Sequence, residues 1–328
     1  MSVLVTGGAG YIGSHMVLAL ADAGEDVTVL DNLSTGLRTA VDARAELVEG
    51  DIGDAELVRS TINRKNITDV VHFAGSIVVP ESVADPLKYY ANNTAKTRSL
   101  IECCVTENVP RFVFSSTAAV YGSPEQVPVT EDVQLNPMSP YGRSKLMSEW
   151  MLQDVSAAHE LNYVVLRYFN VAGADPAGRS GQSTKDATHL IKVAVQAALG
   201  IRDHMKIFGD DYATMDGTGV RDYIHVSDLI SAHEAAVKYL RSGGDSLTAN
   251  CGYGHGSSVK QVIEAVERVA GKKIEARLDA RRAGDPAEIV ADADLAQRVL
   301  GWKPEHDALD EIVRDAYRWE SKLLQAAG

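Results

Sequence analysis

Cysteine is scarce in this 328-residue sequence, and the three cysteines are Cys103, Cys104 and Cys251. Their number is odd and two of them are adjacent, so neither a disulfide framework nor a zinc-binding spacing can be built from them. Histidine, aspartate and glutamate show no repeated spacing that is typical of a metal site. We therefore expect a protein of a reducing compartment that binds no metal.

Basic residues are also fewer than acidic ones. Lysine and arginine total 32 residues against 45 aspartates and glutamates, which gives a formal net charge of -13. A nucleic-acid surface requires clustered basic residues, and their absence excludes this class of partner. Any anionic ligand would require a locally positive pocket.

Long apolar runs are missing as well. No run reaches the roughly 18 residues that a membrane helix needs. The amino-terminal segment has no lysine or arginine before Arg38 and lacks the apolar stretch of a signal peptide. We expect a cytoplasmic protein with no membrane partner.

What the sequence does contain is an alternation of short apolar runs with longer helical patterns. The runs are residues 3–5, 27–30, 70–73, 112–114 and 163–166. Runs that are apolar on both faces are typical of strands covered by helices on both sides. Between them lie helical segments such as 12–23, which is followed by Gly24 as a C-terminal cap. This order predicts an α/β fold with a doubly wound parallel sheet of the Rossmann type.

The pattern changes after about residue 170, where loops rich in glycine, aspartate and serine precede helices near 226–241, 257–270 and 307–325. We expect residues 1–170 to form the dinucleotide-binding domain. Residues 171–328 would form a smaller C-terminal lobe that binds the substrate and is partly interleaved with the first part. This division suits the length of the chain.

A glycine-rich turn follows the first predicted strand and opens the first helix, with glycines at Gly7, Gly10 and Gly13. Such glycines allow a tight turn, and the helix terminus offers N–H groups to a pyrophosphate. Asp31 ends the second strand at the spacing of a ribose-binding carboxylate, which favours NAD over NADP. Asp51 and Ile52 end the next strand-like segment, where a carboxylate could meet the adenine amino group. Alternatively, the glycines form an ordinary turn that binds no dinucleotide, and Asp31 is a solvated carboxylate at the end of a strand.

Tyr141 and Lys145 lie four residues apart, which places both side chains on one face of a helix. A phenol titrates near pH ~10, so a tyrosine that acts as a base needs a neighbouring cation, and Lys145 is suitable. Thr117 belongs to a hydroxyl-rich segment at the carboxyl end of a predicted strand, the edge where ligands bind in such sheets. Alternatively, Tyr141 and Lys145 lie on a solvated helix face, and the segment of Thr117 is a polar loop that follows a buried strand.

These motifs resemble the extended short-chain dehydrogenase/reductase family, and further stretches narrow the resemblance to its nucleotide-sugar 4-epimerases, which act on UDP-glucose and UDP-galactose. The resemblance covers nearly the whole chain. The matching stretches for the family are 6–13, 92, 115–117 and 141–145, and those for the narrower group are 72–75, 81–83, 166–170, 216–226 and 281–285.

The resemblance implies inversion at C4 of a UDP-hexose through a transient 4-keto sugar, with tightly bound NAD. Tyr141 is then the catalytic base, Lys145 lowers its pKa and binds the nicotinamide ribose, and Thr117 is the hydroxyl donor. The implied NAD ligands are Gly7, Gly10, Tyr11, Ile12, Gly13, Asp31, Asn32, Asp51, Ile52, Phe73, Ala74, Asn92, Tyr141, Lys145, Tyr168 and Phe169. The implied ligands of the UDP-sugar are Thr117, Tyr141, Asn170, His189, Leu190, Phe208, Arg221, Arg282 and Asp285. A homodimer through segments near 83–105 and 141–159 is also implied.

The two arginines of this set also have a rationale of their own. Their planar guanidinium groups suit a pyrophosphate and would supply the positive pocket that the acidic composition demands. The alternative for Arg221 and Arg282 is an ion pair with neighbouring Asp222 or Asp285.

Two positions depart from the family pattern. Ile77 stands where some relatives have a lysine, and Ile289 where some have a tyrosine beside the sugar, so an N-acetylated sugar could be admitted. Alternatively, either isoleucine is an ordinary packing residue.

Two other activities compete with epimerisation of a simple hexose. A dehydratase would need acidic residues after Thr117, where the sequence has Ala118 and Ala119. A non-catalytic NAD-binding regulatory protein on the same fold is the other alternative.

Overall fold

A computed structural model describes residues 1–184, 187–282 and 285–327. Its strands are β1 (Ser2–Thr6), β2 (Asp26–Asp31), β3 (Glu46–Glu49), β4 (Asp69–His72), β5 (Arg111–Ser115), β6 (Asn162–Tyr168), β7 (Asn170–Ala172), β8 (Met205–Phe208), β9 (Val220–Arg221), β10 (Tyr223–His225), β11 (Leu247–Cys251), β12 (Ser257–Ser258), β13 (Ala276–Asp279) and β14 (Glu288–Ile289). Its helices are α1 (Tyr11–Asp22), α2 (Ala55–Lys65), α3 (Val79–Ala84), α4 (Pro86–Tyr89), α5 (Lys96–Thr106), α6 (Pro140–Ala158), α7 (Leu190–Leu199), α8 (Val226–Arg241), α9 (Val259–Ala270) and α10 (Leu309–Ala327).

The main sheet has seven strands in the order β11-β6-β5-β4-β1-β2-β3, and each neighbouring pair is parallel. The five predicted runs correspond to β1, β2, β4, β5 and β6, so the predicted doubly wound sheet is confirmed. The chain proceeds outward from β1 in one direction and then returns to β4 on its other side. This reversal leaves a crevice at the carboxyl ends of β1 and β4.

Helices cover both faces of this sheet because its strands are apolar on both sides. Val3 and Val5 point to one face and pack with α1 and α8. Leu4 points to the other face, where the core contains residues of α2, α5 and α6. The sheet is thus buried on both sides, as parallel sheets generally are.

The later part of the chain builds a second core from α7, α9 and α10, with Val195, Val262 and Ile312 fully or almost fully buried. Short strand pairs link this region to the sheet domain, such as β7 with β10. The helices expected near 226–241, 257–270 and 307–325 are α8, α9 and α10. Residues beyond 170 therefore also complete the main sheet, because β11 is its edge strand and α8 covers one face.

The cysteines Cys103, Cys104 and Cys251 are buried free thiols. Within the described ranges, no helix has both the length and the apolar composition that a membrane span requires. The same residues contain no cluster of three histidine, cysteine, aspartate or glutamate side chains arranged for a metal ion.

The turn between β1 and α1 depends on close backbone contacts that only glycine permits. Gly7 has a φ of +73°, and a Cβ there would lie 2.6 Å from the backbone nitrogen of Ala74. A Cβ on Gly13 would lie 2.2 Å from the carbonyl oxygen of Gly7. On Gly10 the nearest atom would be that same oxygen, at 3.3 Å. The three glycines of the motif are therefore under unequal steric constraint.

We predict that Gly13→Ala lowers the free energy of unfolding by about 3 kcal/mol, because the backbone of the turn must move away from the new methyl group. Gly10→Ala should cost less than about 1 kcal/mol, since a shift of a few tenths of an ångström accommodates it. Urea-induced unfolding followed by tryptophan fluorescence measures both values. Equal losses in the two variants would contradict the assignment of the close contact to Gly13.

Candidate active site

The amino-terminal end of α1 is open to an anion. Gly10 is the N-cap residue, no described side chain caps it, and the first turn carries no acidic residue. The N–H groups of Tyr11, Ile12 and Gly13 begin the helix, where such groups lack intrahelical partners. Helix N-termini of this kind bind phosphate groups, so the turn matches the predicted pyrophosphate site.

Asp31 holds the glycine turn against the end of β2. Its two carboxylate oxygens accept hydrogen bonds from the backbone N–H of Ala9 at 2.9 Å and of Leu33 at 2.8 Å. The side chain is buried, yet each oxygen keeps a lone pair for a ribose hydroxyl. A 2′-phosphate would place a second negative charge against this carboxylate, so the geometry suits NAD better than NADP.

Asp51 lies at the same edge of the sheet and is joined to two neighbours. Asn32 donates to its carboxylate at 3.1 Å, and the Lys96 ammonium is 2.5 Å away. Burial raises the pKa of Asp51, but the hydrogen bonds from Lys96 and Gly53 outweigh it and leave the pKa below its usual value. The next residue, Ile52, is buried. A carboxylate is thus available where the adenine was expected.

The chain after β4 lines the crevice. Ala74 contacts Gly7 of the glycine turn, and the Phe73 ring packs against His233 with a centroid distance of 4.8 Å. The Asn92 side chain donates to the Ser76 hydroxyl at 3.0 Å. This structure brings the predicted residues of the first, second and fourth strands to one edge of the sheet.

Three hydroxyls follow one another at the end of β5, and the structure gives each a different partner. Ser115 lies 3.0 Å from Nε2 of His233, and Ser116 donates to the Glu149 carboxylate. Thr117 accepts from the backbone N–H of Ala119 at 3.1 Å, and its hydroxyl lies beside Tyr141, close enough to influence the pKa of the phenol. Of these three residues, Thr117 is therefore the one placed beside the predicted base.

Tyr141 and Lys145 both face the sheet from α6 and are buried. Ser139 caps this helix by accepting from the N–H of Gly142 at 3.2 Å, so Tyr141 lies in the first turn, where the helix dipole favours a phenolate. Burial raises the pKa of Tyr141, and the hydrogen bond with Thr117 opposes this rise.

Lys145 makes its hydrogen bond to the Ser115 carbonyl at 2.7 Å, and its ammonium lies 4.6 Å from the centroid of the Phe114 ring. Burial lowers the pKa of Lys145 to about 8, and the charge of Glu149 opposes this shift. The dominant influences on Tyr141 are burial and Thr117, so the lowering of its pKa by Lys145 stays a prediction.

The end of β6 adds three further predicted residues. Tyr168 lies near Ser115 and His233. Phe169 is buried in a cluster that includes Ile289. The Asn170 side chain is exposed, and its backbone N–H donates to the Asp222 carbonyl at 3.0 Å.

His189 is the N-cap residue of α7, and Leu190 is the first residue of that helix. The Nδ1 atom of His189 is 3.3 Å from the Gln182 amide. Burial, followed by the charge of Lys192, lowers the pKa of His189. The imidazole is therefore neutral at physiological pH and can serve as a hydrogen-bonding group.

Four of the predicted substrate residues form two pairs. Arg221 donates to the Asp285 carboxylate at 2.5 Å, and the Arg282 guanidinium lies 3.8 Å from the centroid of the Phe208 ring. Asp222, considered as an alternative partner of Arg221, is buried and instead accepts from backbone N–H groups such as that of Tyr253. Ala283 and Gly284 of the same motif lie outside the described residues.

Sequence reasoning missed four residues around this site. Asn93 is buried, and its side-chain amide bonds both the N–H and the carbonyl of Ser76. The resemblance implied only its neighbour, Asn92, as a ligand of NAD. Glu149 follows Lys145 by four residues, a spacing that could have revealed it. Arg167 binds Glu149 at 2.6 Å and was visible as a charge within an apolar run. His233 gave no signal, because α8 has the pattern of an ordinary core helix.

The two departures from the family pattern have different environments. The Ile77 side chain is half-exposed. Ile289 is buried against Ala118 and Phe169. Packing accounts for Ile289, and nothing in the structure explains an isoleucine at position 77.

The model of the NAD dependent epimerase/dehydratase family matches residues 3–252 of the chain. A UDP-glucose 4-epimerase of Azospirillum brasilense is 57% identical over 326 residues, which cover 99% of this chain and 94% of the relative.

Solved structures agree with these sequence relations. A UDP-glucose 4-epimerase from Brucella ovis, in complex with NAD, has a TM-score of 0.94 at 45% identity and covers 97% of each chain. The UDP-Glc/GlcNAc 4-epimerase of Campylobacter jejuni has a TM-score of 0.86 at 47% identity and covers 98% of this chain and 99% of its own. The chain therefore belongs to the NAD-dependent epimerase/dehydratase family.

Proposed function

We propose that this protein is an NAD-dependent 4-epimerase of UDP-hexoses, which interconverts UDP-galactose and UDP-glucose. The observation that carries the proposal is the buried hydroxyl pair of Thr117 and Tyr141 at the carboxyl end of β5, with Lys145 on the same helix face. Relatives that match the chain over nearly its full length are named UDP-glucose 4-epimerase.

The chain fits NAD at the crevice between β1 and β4. The glycine turn admits a backbone approach that a Cβ at Gly7 or Gly13 would block, and the α1 terminus offers N–H groups to the pyrophosphate. Asp31 would hold the adenosine ribose, and Asp51 with Asn32 would border the adenine. Phe73, Ala74, Asn92, Tyr168 and Phe169 would surround the rest of the dinucleotide, with Lys145 at the nicotinamide ribose.

The later part of the chain would hold the UDP moiety. Arg221 and Arg282 present guanidinium groups to the pyrophosphate, and Phe208 and Asp285 lie against them. His189, Leu190 and Asn170 would complete this side. Strong binding of the nucleotide diphosphate leaves the hexose free to turn about its link to the phosphate. Residues 1–170 would thus mainly bind NAD, and residues 171–328 would mainly bind the UDP-sugar.

NAD supplies the group that accepts a hydride from sugar C4 and later returns it. Tyr141, as phenolate, takes the proton of the 4-hydroxyl, and Thr117 holds that oxygen through its own hydroxyl. The 4-keto sugar then turns and presents its other face. Tyr141 gives the proton back to the oxygen once the hydride has returned, so protons and electrons balance over the cycle and only the configuration at C4 changes.

Two alternatives concern the same site. Ala118 and Ala119 follow Thr117 and pack in its vicinity, so the acid and base that a dehydratase requires are not present there. The relative from Campylobacter jejuni is named for both UDP-Glc and UDP-GlcNAc, and Ile289 is smaller than a tyrosine. Acceptance of N-acetylated sugars is therefore the second candidate activity.

We predict that the purified protein converts UDP-galactose to UDP-glucose without added cofactor, and that Tyr141→Phe lowers kcat by about 10³-fold because proton transfer is lost. Product separation by chromatography measures turnover, and NAD released by denaturation measures cofactor content. Parallel assays with UDP-N-acetylgalactosamine establish the substrate range.

Tyr163→Phe, which removes a hydroxyl from β6 away from the site, is the matched control and should retain full activity. Near-normal turnover in Tyr141→Phe would refute the role of the phenol. A wild-type protein that retains NAD but converts neither sugar would favour a regulatory NAD-binding role.

We predict that the pH dependence of kcat/KM reports the loss of the proton from Lys145. Burial lowers its pKa to about 8, so the ammonium loses its proton as the pH rises through this value. If this cation stabilises the phenolate, kcat/KM falls above about pH 8. Lys145→Arg, which keeps its charge, should be slower but should move the alkaline decline upward by at least about one pH unit. An unchanged decline in the arginine variant would assign it to another group.

We also propose that the enzyme is a cytoplasmic homodimer. The outward face of α6 carries Met147 and Trp150, and Val83 and Leu87 lie on the adjacent helices α3 and α4. Trp150 is 52% and Leu87 is 77% exposed. Large apolar side chains grouped in this way are typical of protein interfaces. Placement in the cytoplasm is supported by the three free thiols.

Light scattering coupled to gel filtration should give twice the chain mass for the wild-type protein. Trp150→Glu should give a monomer, because a charge would be buried without a partner at the interface. Leu324→Glu, at another exposed leucine on α10, should remain dimeric. A monomeric wild type at micromolar concentration would refute the dimer.

A further inference from the structure

His233 on α8 is completely buried and uses both ring nitrogens. Nδ1 faces the Leu229 carbonyl at 2.8 Å, and since a carbonyl only accepts, this nitrogen carries the proton. Burial lowers the pKa of His233 to about 4, so the ring is neutral. Nε2 is then an acceptor, and the Ser115 hydroxyl, 3.0 Å away, must donate to it.

Ser115 joins His233 to the catalytic helix. Its carbonyl accepts from Lys145 at 2.7 Å, while its hydroxyl is directed at His233. The same residue therefore fixes the lysine through its backbone and the histidine through its side chain. Because the hydrogen of Ser115 is engaged by His233, its oxygen is free to accept from Tyr168, which lies beside it.

The His233 ring also supports two walls of the dinucleotide crevice. Its centroid is 4.8 Å from that of Phe73 and 6.4 Å from that of Tyr168. Contacts between ring faces and edges at these distances are favourable and restrict ring orientation. One side chain from the second half of the chain thus touches Phe73, Tyr168 and Ser115.

We propose that His233 is a positioning residue of the epimerase reaction, which fixes the nicotinamide end of the crevice through its hydrogen bond with Ser115, while Phe73 and Tyr168 pack against its ring. This inference rests on the proposed function, since it assumes that NAD occupies that crevice. His233 itself touches neither the substrate nor the reacting atoms. Its effect is to hold the Ser115 strand end, and with it the Lys145 ammonium, in one place.

Two variants remove the hydrogen bond by different routes. His233→Phe keeps an aromatic ring but loses the acceptor, and Ser115→Ala loses the donor with little change of volume. We expect both to lower kcat per NAD-loaded site by at least about 10-fold and to leave the KM for UDP-galactose within about threefold. NAD should also dissociate at least about fivefold faster, as measured by the loss of bound cofactor during dilution.

Controls separate positioning from general stability. Val237→Ala opens a cavity one turn away on the same helix face, so it should lower Tm without changing kcat per loaded site or NAD dissociation. His233→Gln can present an amide oxygen to Ser115 and should recover kcat to within about threefold of wild type. The double variant S115A/H233F should be no slower than the slower single variant, because both changes break one hydrogen bond.

Unchanged kcat and NAD dissociation in Ser115→Ala would overturn the proposal, even if His233→Phe fails to fold. Losses that multiply in the double variant would overturn it too, since His233 would then act by another route. The proposed function can fail separately: a wild type that does not convert UDP-galactose refutes the epimerase, and the NAD dissociation rates then still decide the role of His233 in the crevice.

Discussion

The burial of polar side chains on the inner face of α6 is the constraint on which the site depends. Tyr141, Lys145 and Glu149 recur every four residues and face the sheet. Each meets one residue of the segment 115–117 at the end of β5: Tyr141 lies beside Thr117, the Ser115 carbonyl accepts from Lys145, and Ser116 donates to Glu149. A shift of α6 by one turn would leave a phenol, an ammonium and a carboxylate buried without these partners, at a cost of several kcal/mol. The register of α6 is therefore set by polar pairing as well as by apolar packing.

The charge of Glu149 is balanced from the opposite side. Arg167 on β6 binds it at 2.6 Å and also donates to the Tyr121 hydroxyl at 2.9 Å. Tyr121 in turn donates to Asn250 on β11 at 2.7 Å. A continuous network thus joins α6 to β11, the edge strand of the sheet. It explains why a strand from the second half of the chain is part of the unit that positions Tyr141.

Local patterns were sufficient to predict the sheet and the glycine turn, because strands buried on both faces are apolar throughout and close backbone approach requires glycine. Tyr141 and Lys145 were also predictable, since a spacing of four on a helix fixes their relation to each other. The strand β11 and the role proposed for His233 were not, because both depend on contacts between residues more than 60 positions apart. The pairing of Arg221 with Asp285 belongs to the same class: the sequence offered Asp222 as an equal candidate, and only the fold shows that Asp222 is buried among backbone N–H groups.

The electrostatics of the site differ between its two ends. On the side of the glycine turn, burial lowers the pKa of His72 to about 3 and those of His15 and His233 to about 4. These three rings are therefore neutral throughout the physiological range and act as fixed hydrogen-bonding groups. On the other side, Arg221 and Arg282 carry guanidinium groups, whose planar shape suits a diphosphate. The three histidines keep their charge between pH 5 and 8, so the groups that titrate in the proposed reaction are Tyr141 and Lys145. Apart from Tyr141 and Lys145, the groups proposed to hold the ligands are separate from the groups that titrate. The dinucleotide and the diphosphate can therefore stay bound while a single proton moves at Tyr141.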